Sequence, residues 1–265
     1  VGSSDLATLE KVKLEYNEAK LAVEESAPVH FNMIETDKDL VRLALPDGHQ
    51  QKHTVQLLNR AGIQVDDYPS STGNRRPTSN LEGVVIKVIR PQDMPLQVAN
   101  DNFDLAITGR DWLTDHLNLF PSSPVREILD LKLGWVKIVA VVDKNVATDN
   151  IYDFQRFSSK YYTYIRVASE YVNIADKYAR DNRLGMYRII PTWGATEAFL
   201  PEDADLLIEN TETGSTIARH NLKIIDTLFE STAHLIGAKN RRYSLIKKAR
   251  IDNIIKLLSD ATGGT

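Results

Sequence analysis

The chain has 265 residues, enough for one large domain or two small ones. Its formal charge is -4 and its pI about 5.9, which argues against bulk affinity for nucleic acid or acidic membranes but leaves room for a local basic pocket. There is no cysteine, so disulfides, thiolate metal sites and cysteine catalysis are excluded. No apolar run approaches the ~20 residues of a membrane span, and the first residues lack the basic-then-apolar pattern of a signal peptide, so a cytoplasmic location is expected.

Leu9, Val12, Tyr16, Ala19 and Val23 alternate at spacings of three and four, which predicts one apolar face of a helix. The repeat is too short for a coiled coil, and a helix packed on its own domain or a neighbour accounts for it. We assign residues 1–38 to an N-terminal helical extension. From residue 40, short apolar runs alternate with amphipathic helical stretches. The runs are Leu40–Leu45, Val84–Ile89, Leu105–Thr108, Val136–Val142, Ile165–Ala168, Arg188–Ile190, Leu206–Ile208 and Leu235–Gly237. This order predicts an α/β fold with a largely parallel sheet, helices on both faces and right-handed crossovers. No internal repeat is visible. Pro69–Asn80 reads as a polar surface loop carrying Arg75 and Arg76, and Ile151–Tyr164 as an irregular, aromatic-rich insertion.

Chemistry concentrates in four segments. In Asp205–Ile217 an apolar strand core runs into Thr213-Gly214-Ser215-Thr216, a composition that can make a backbone and hydroxyl anion cradle, or equally a turn and helix cap. Asp205, Leu207, Glu209 and Thr211 share one strand face, where a carboxylate suits ribose hydroxyls. In Arg90-Pro91-Gln92-Asp93, Pro91 stops a strand, and Arg90 and Asp93 either cap the next turn or sit at the sheet edge where open α/β sheets bind ligands. Asp104–Leu113 passes through Thr108-Gly109-Arg110 into a helix, a second potential anion site or an ordinary loop. Leu43–His49 is another strand entering a loop; His49 and His53 lack an obvious third ligand, so no metal is expected there. Walker, dinucleotide and zinc-protease patterns are absent.

Together and in this order, the four segments resemble the catalytic subunit of the ATP phosphoribosyltransferase family, in its short form. The resemblance runs over roughly residues 39–258. It rests on Leu43–His49, Leu57–Ile63, Arg90–Pro95, Asp104–Asp111, Ala168–Ala175, Gly194–Glu197 and Glu212–Ile217. It implies a two-lobed fold of the type II periplasmic-binding-protein kind, with a ligand cleft between lobes. Lobe one would hold residues 39–134 and 227–265, and lobe two residues 135–226.

The resemblance further implies transfer of a phosphoribosyl group from phosphoribosyl pyrophosphate to N1 of ATP, with Mg²⁺, as the first step of histidine biosynthesis. Implied partners are a regulatory subunit similar to histidyl-tRNA synthetase and further copies of the chain, with no nucleic acid or membrane. Glu209, Arg90 and Arg110 would act on the reacting groups. Asp205, Thr211, Glu212, Thr213, Gly214, Ser215, Thr216, Asp47, Gly48, His49, Arg76, Asp93, Gly109 and Glu197 would bind substrate. Where the family usually shows Pro-Lys-Gly-Arg, this chain has Pro46-Asp47-Gly48-His49, which replaces two cations. That departure keeps two alternatives open: a non-catalytic ligand-binding or sensor protein on the same fold, and a phosphoribosyltransferase for another base.

Overall fold

A computed structural model describes residues 38–263. The predicted N-terminal helix lies outside the described residues. Within Asp39–Thr265, one compact unit, the strands form two five-stranded sheets.

The first sheet has the order β2 (Val84–Ile89), β1 (Val41–Pro46), β3 (Leu105–Gly109), β10 (Ala233–Ala238) and β4 (Val125–Asp130). The second has the order β7 (Tyr187–Pro191), β6 (Ile165–Ser169), β8 (Leu206–Thr211), β5 (Val136–Asp143) and β9 (Leu222–Ser231). In each sheet the first three strands are parallel and the last two join antiparallel. The sheets are therefore mixed, which corrects the expectation of a largely parallel one. The reason is local: β10 and β5 return across the junction between sheets without a crossover helix, so they must run the other way.

Strand β1 is buried at five of six positions, as expected of a central strand covered on both faces. Helices α1 (Gln51–Arg60) and α7 (Leu245–Ala261) cover one face of the first sheet through Leu57, Leu58, Ile251, Ile254 and Leu258. Helices α2 (Met94–Ala99) and α3 (Arg110–Leu119) cover the other, through Met94, Val98 and Leu113. The second sheet buries Phe154 of α4 (Ile151–Tyr161) and Ile174, Ala175 and Tyr178 of α5 (Val172–Asp181). Helix α4 occupies the segment read as irregular. Asn150 caps it by accepting from the Asp153 amide at 2.9 Å, and Ile151, Phe154 and Ser158 give it a buried face at helical spacing.

Two segments join the sheets, 131–135 outward and Thr232 on the return, and the first is hydrogen-bonded to the start of β10. The Leu131 amide donates to the Ala233 carbonyl at 2.9 Å, and the Ala233 amide to the Leu133 carbonyl at 2.8 Å. The lobe boundary expected at 226 falls inside β9, which pairs with β5 as far as Ser231. A strand cannot leave its sheet midway without breaking its ladder, so the return comes after Ser231.

Candidate functional site

The C-terminal ends of β1, β2, β3, β6, β7 and β8 open onto one cleft of about 690 Å³ between the lobes, the place where open α/β sheets take ligands. The first lobe contributes Asp47, Gly48, His49, Arg90 and Gly109; the second contributes Glu197, Glu209, Thr211, Glu212, Thr213, Ser215 and Thr216. Gly214, flanked by these, is the N-cap of α6 (Ser215–Arg219) with φ +75°, a conformation that favours glycine. Its amide donates to Thr211 Oγ1 at 2.8 Å, which folds the loop back on the strand end.

Four expected residues lie elsewhere. Asp205 sits at the opposite end of β8 from the cleft. Its Oδ2 accepts from the Arg166 amide at 2.8 Å, and its Oδ1 pairs with the Arg166 guanidinium at 2.9 Å. It shares a face with Glu209 but not an end of the sheet, so it locks β8 to β6 rather than meeting a ligand. Arg110 is exposed on the first turn of α3 and does not line the cleft. Asp93 is exposed, makes no capping hydrogen bond, and lines a neighbouring groove of about 610 Å³ with Trp112, Phe120 and Trp193. Arg76 is exposed too; its neighbour Arg75 is the one whose guanidinium pairs with Asp47. That pair, with Arg90 nearby, holds the Asp47 carboxyl below the usual carboxylate range. The acid in the place of a family lysine thus carries its own counter-ion.

Glu209 and Asp111 are both strongly perturbed acids of the cleft, each pushed up by burial. Burial pushes the Glu209 carboxyl up to about 7, and the charges of Glu170 and Glu197 add to the shift. Its Oε1 accepts from the Asn210 amide at 2.9 Å. Burial also raises Glu170. Perturbed acids grouped in a cleft mark a functional site more often than a structural one. Among the described residues no group of three His, Cys, Asp or Glu could hold a metal ion. His49 and His53 both line the cleft.

Sequence reasoning missed Glu170, Tyr171, Asn210, Asp111 and Trp112, all of which line the cleft. Glu170 and Tyr171 directly follow β6, so the rule that ligands bind beyond strand C-termini could have found them. Asp111 and Trp112 required the lobe packing to be known. The Trp112 ring lies 4.2 Å from that of Tyr171, and Asp115 Oδ1 accepts from the amides of Asn173 and Ile174, both at 2.9 Å, at the start of α5. Helix α3 of one lobe therefore caps α5 of the other. No described helix is long and apolar enough to cross a membrane.

Comparison with known proteins agrees with this geometry. A family model described as ATP phosphoribosyltransferase (HisG) matches residues 90–260. The ATP phosphoribosyltransferase of Prosthecochloris aestuarii is 31% identical over 229 residues, which is 84% of this chain and 72% of that protein. That of Pelodictyon phaeoclathratiforme is 31% identical over 228 residues, 84% of this chain and 71% of its own. Among solved structures, the ATP phosphoribosyl transferase (HisG:HisZ) complex from Thermotoga maritima aligns with TM-score 0.67 and 19% identity, over 85% of this chain and all of that one. A periplasmic transporter aligns with TM-score 0.50 and 10% identity, over 84% of this chain and 82% of that one. At such identities the two structures show the fold, a two-lobed periplasmic-binding-protein-like one. The family match and the relatives go further: the chain belongs to the ATP phosphoribosyltransferase family.

Proposed function

We propose that the chain joins N1 of the adenine of ATP to C1 of phosphoribosyl pyrophosphate, releasing pyrophosphate, in the first step of histidine biosynthesis. The observation that carries this reading is the convergence, in one cleft, of Glu209 and the Thr211–Thr216 loop on the second lobe with Arg90 and Asp47 on the first. A new N–C bond forms as the C–O bond to pyrophosphate breaks, so no protein nucleophile is needed. The work is alignment of two polyanions and stabilisation of charge.

In this reading the hydroxyls and amides of Thr211, Thr213, Gly214, Ser215 and Thr216 hold the 5-phosphate, with Glu212 at the loop's edge. Glu209, as a carboxylate, accepts from the ribose hydroxyls and from there faces the electron-poor ribosyl carbon. Arg90 neutralises phosphate charge, while Arg75 neutralises Asp47. Gly48, with open space where a side chain would stand, and His49 let the other substrate approach the first lobe closely; Gly109 makes room for the Asp111 carboxylate, and Glu197 closes the far wall. Mg²⁺ fits as an ion that arrives on the pyrophosphate: the cleft offers single carboxylates and no closed set of ligands, and Mg²⁺ usually keeps waters and substrate oxygens. When bound, it supplies charge neutralisation to the leaving group. The Thermotoga maritima structure is of a two-protein complex, and we assign this chain a comparable regulatory partner.

Purified protein with ATP, phosphoribosyl pyrophosphate, Mg²⁺ and pyrophosphatase should form phosphoribosyl-ATP, followed by its near-ultraviolet absorbance. A candidate regulatory subunit should change the rate. The acid at Asp47 favours one second reading, a ligand-binding protein on the same scaffold. Substrate binding without product, with and without the subunit, would establish that instead.

A further inference from the structure

One hydrogen-bonded chain runs from the first lobe into the cleft and is not used by the chemistry above. Asp111 lies in the first turn of α3, Tyr171 just before α5, and Asn210 on β8. Asp111 is 4% exposed and Tyr171 is 1% exposed. The Tyr171 hydroxyl donates to Asp111 Oδ2 at 2.7 Å and accepts from Asn210 Nδ2 at 3.0 Å. Asp111 Oδ1 accepts from the Ser231 hydroxyl at 3.1 Å, and that hydroxyl accepts from the Asp111 amide at 3.0 Å. The carboxylate folds back so closely over Gly109 that a Cβ there would fall inside it.

The direction of this chain follows from its anchor. Burial pushes the Asp111 carboxyl up, while the donors gathered on it (Tyr171, Ser231 and the Trp112 amide) favour its ionised form; as a carboxylate it only accepts, and a phenol has one proton. That proton goes to Asp111, so the phenol oxygen is left as an acceptor. It can then bind only the NH₂ end of the Asn210 amide. The amide oxygen is the atom left to face the cleft, which Asn210 lines. Trp112 against the Tyr171 ring, 4.2 Å between centroids, keeps the phenol from swinging away.

We infer that Tyr171 is a positioning residue: held by Asp111 of the other lobe, it orients Asn210 to present its amide oxygen to an O–H or N–H donor of a substrate bound beside Glu209. This rests on the proposed reaction for the identity of the substrates, whose candidate donors are the ribose hydroxyls and the adenine amine. It adds a neutral acceptor beside the Glu209 carboxylate in the cleft.

The test is a double-mutant cycle with Tyr171→Phe and Asn210→Ala, read as KM and kcat in the product assay and as Kd for each substrate by calorimetry. Phenylalanine keeps the ring packing and removes only the hydroxyl. Each single variant should weaken one and the same substrate about three- to tenfold, the value of one hydrogen bond, with kcat less affected. The double variant should be no worse than Asn210→Ala alone, and the thermal midpoint of Tyr171→Phe should stay within a few degrees of wild type. Wild-type affinities in Tyr171→Phe, or single losses that multiply in the double variant, would overturn the inference. If the wild type binds both substrates but makes no product, the reaction is wrong and the cycle in Kd still decides the role of Tyr171. If it binds neither, both fall.

Discussion

The two lobes are built alike and end differently. Both sheets place three parallel strands beside two antiparallel ones, in matching order. In the first, Asp104 precedes β3; its amide donates to the Arg42 carbonyl and its Oδ2 accepts from the Arg42 amide at 2.8 Å. In the second, Asp205 precedes β8 and does the same with Arg166, also at 2.8 Å. Each aspartate locks the central strand to its neighbour at the end away from the cleft. The strand tips then diverge. β3 passes through Gly109 into the ten-residue α3, whose Asp111, Trp112 and Asp115 bind the lobes together. β8 carries Glu209 and leads through the Thr213–Gly214 turn into a five-residue helix. One strand tip leads into the joint between the lobes, and the other carries the Thr-rich wall of the cleft. An acid's role here depends on which end of the strand it occupies.

The largest effect that would break this contrast is expected at Gly214. Gly214→Val forces a β-branched residue into a φ of +75°, at a local cost of about 1–3 kcal/mol, and should abolish detectable binding of phosphoribosyl pyrophosphate while the protein stays folded. Calorimetry with circular dichroism checks both halves, and retained affinity would remove the loop from the site.

Next comes Glu209→Gln, which should lower kcat/KM about 10²-fold because a neutral amide accepts less strongly from ribose hydroxyls. The wild-type pH profile sharpens the point. The acceptor is the ionised form, so kcat/KM should rise with pH through about 7. Stability should move the other way. The folded carboxyl holds its proton up to about 7, above the ordinary value of 4.5, so the folded state binds more protons in that interval and loses stability as pH rises. At pH 8, Glu209→Gln should therefore melt higher than wild type; a lower melting temperature would argue for a structural glutamate.

Asp205→Ala should give the mirror image, about 2–4 kcal/mol less stable by denaturant titration, since it leaves a half-buried guanidinium and an amide without their acceptor. Its KM values, measured where it is folded, should match wild type. A KM change there would return Asp205 to the site. The smallest effect is expected at Asp47→Lys. Its half-exposed pair with Arg75 contributes within about 1 kcal/mol to stability, but the added cation should alter ATP affinity severalfold. Unchanged affinity would place the nucleotide away from β1.

Most elements were legible, because burial on a pleated or helical period writes itself into the chain. β1, β2, β3 and α7 show this directly. Strand β4 was not, since in Val125–Asp130 charged and apolar residues come in adjacent pairs, Arg126-Glu127 then Ile128-Leu129, instead of alternating, at a sheet edge where burial is partial. Helix α4 was not, because its aromatic residues favour strands as much as helices. The matching lobes left no sequence repeat because the shared feature is a strand order, held by backbone bonds that most side chains satisfy.

The sequence alone determined that strands alternate with helices, that a Thr-Gly-Ser-Thr turn follows a buried strand carrying Glu209, and that these motifs occur in the order of one family. Only the tertiary structure decided that Glu209 faces the cleft while Asp205 braces a strand. It also decided that Arg75 rather than Arg76 answers Asp47, and that Asp111 reaches Asn210 through Tyr171. The reason is one of distance along the chain. Periodicity reports which face a residue occupies over a few positions, whereas the partner of a buried charge is set by contacts between residues tens of positions apart, such as Asp111 and Tyr171.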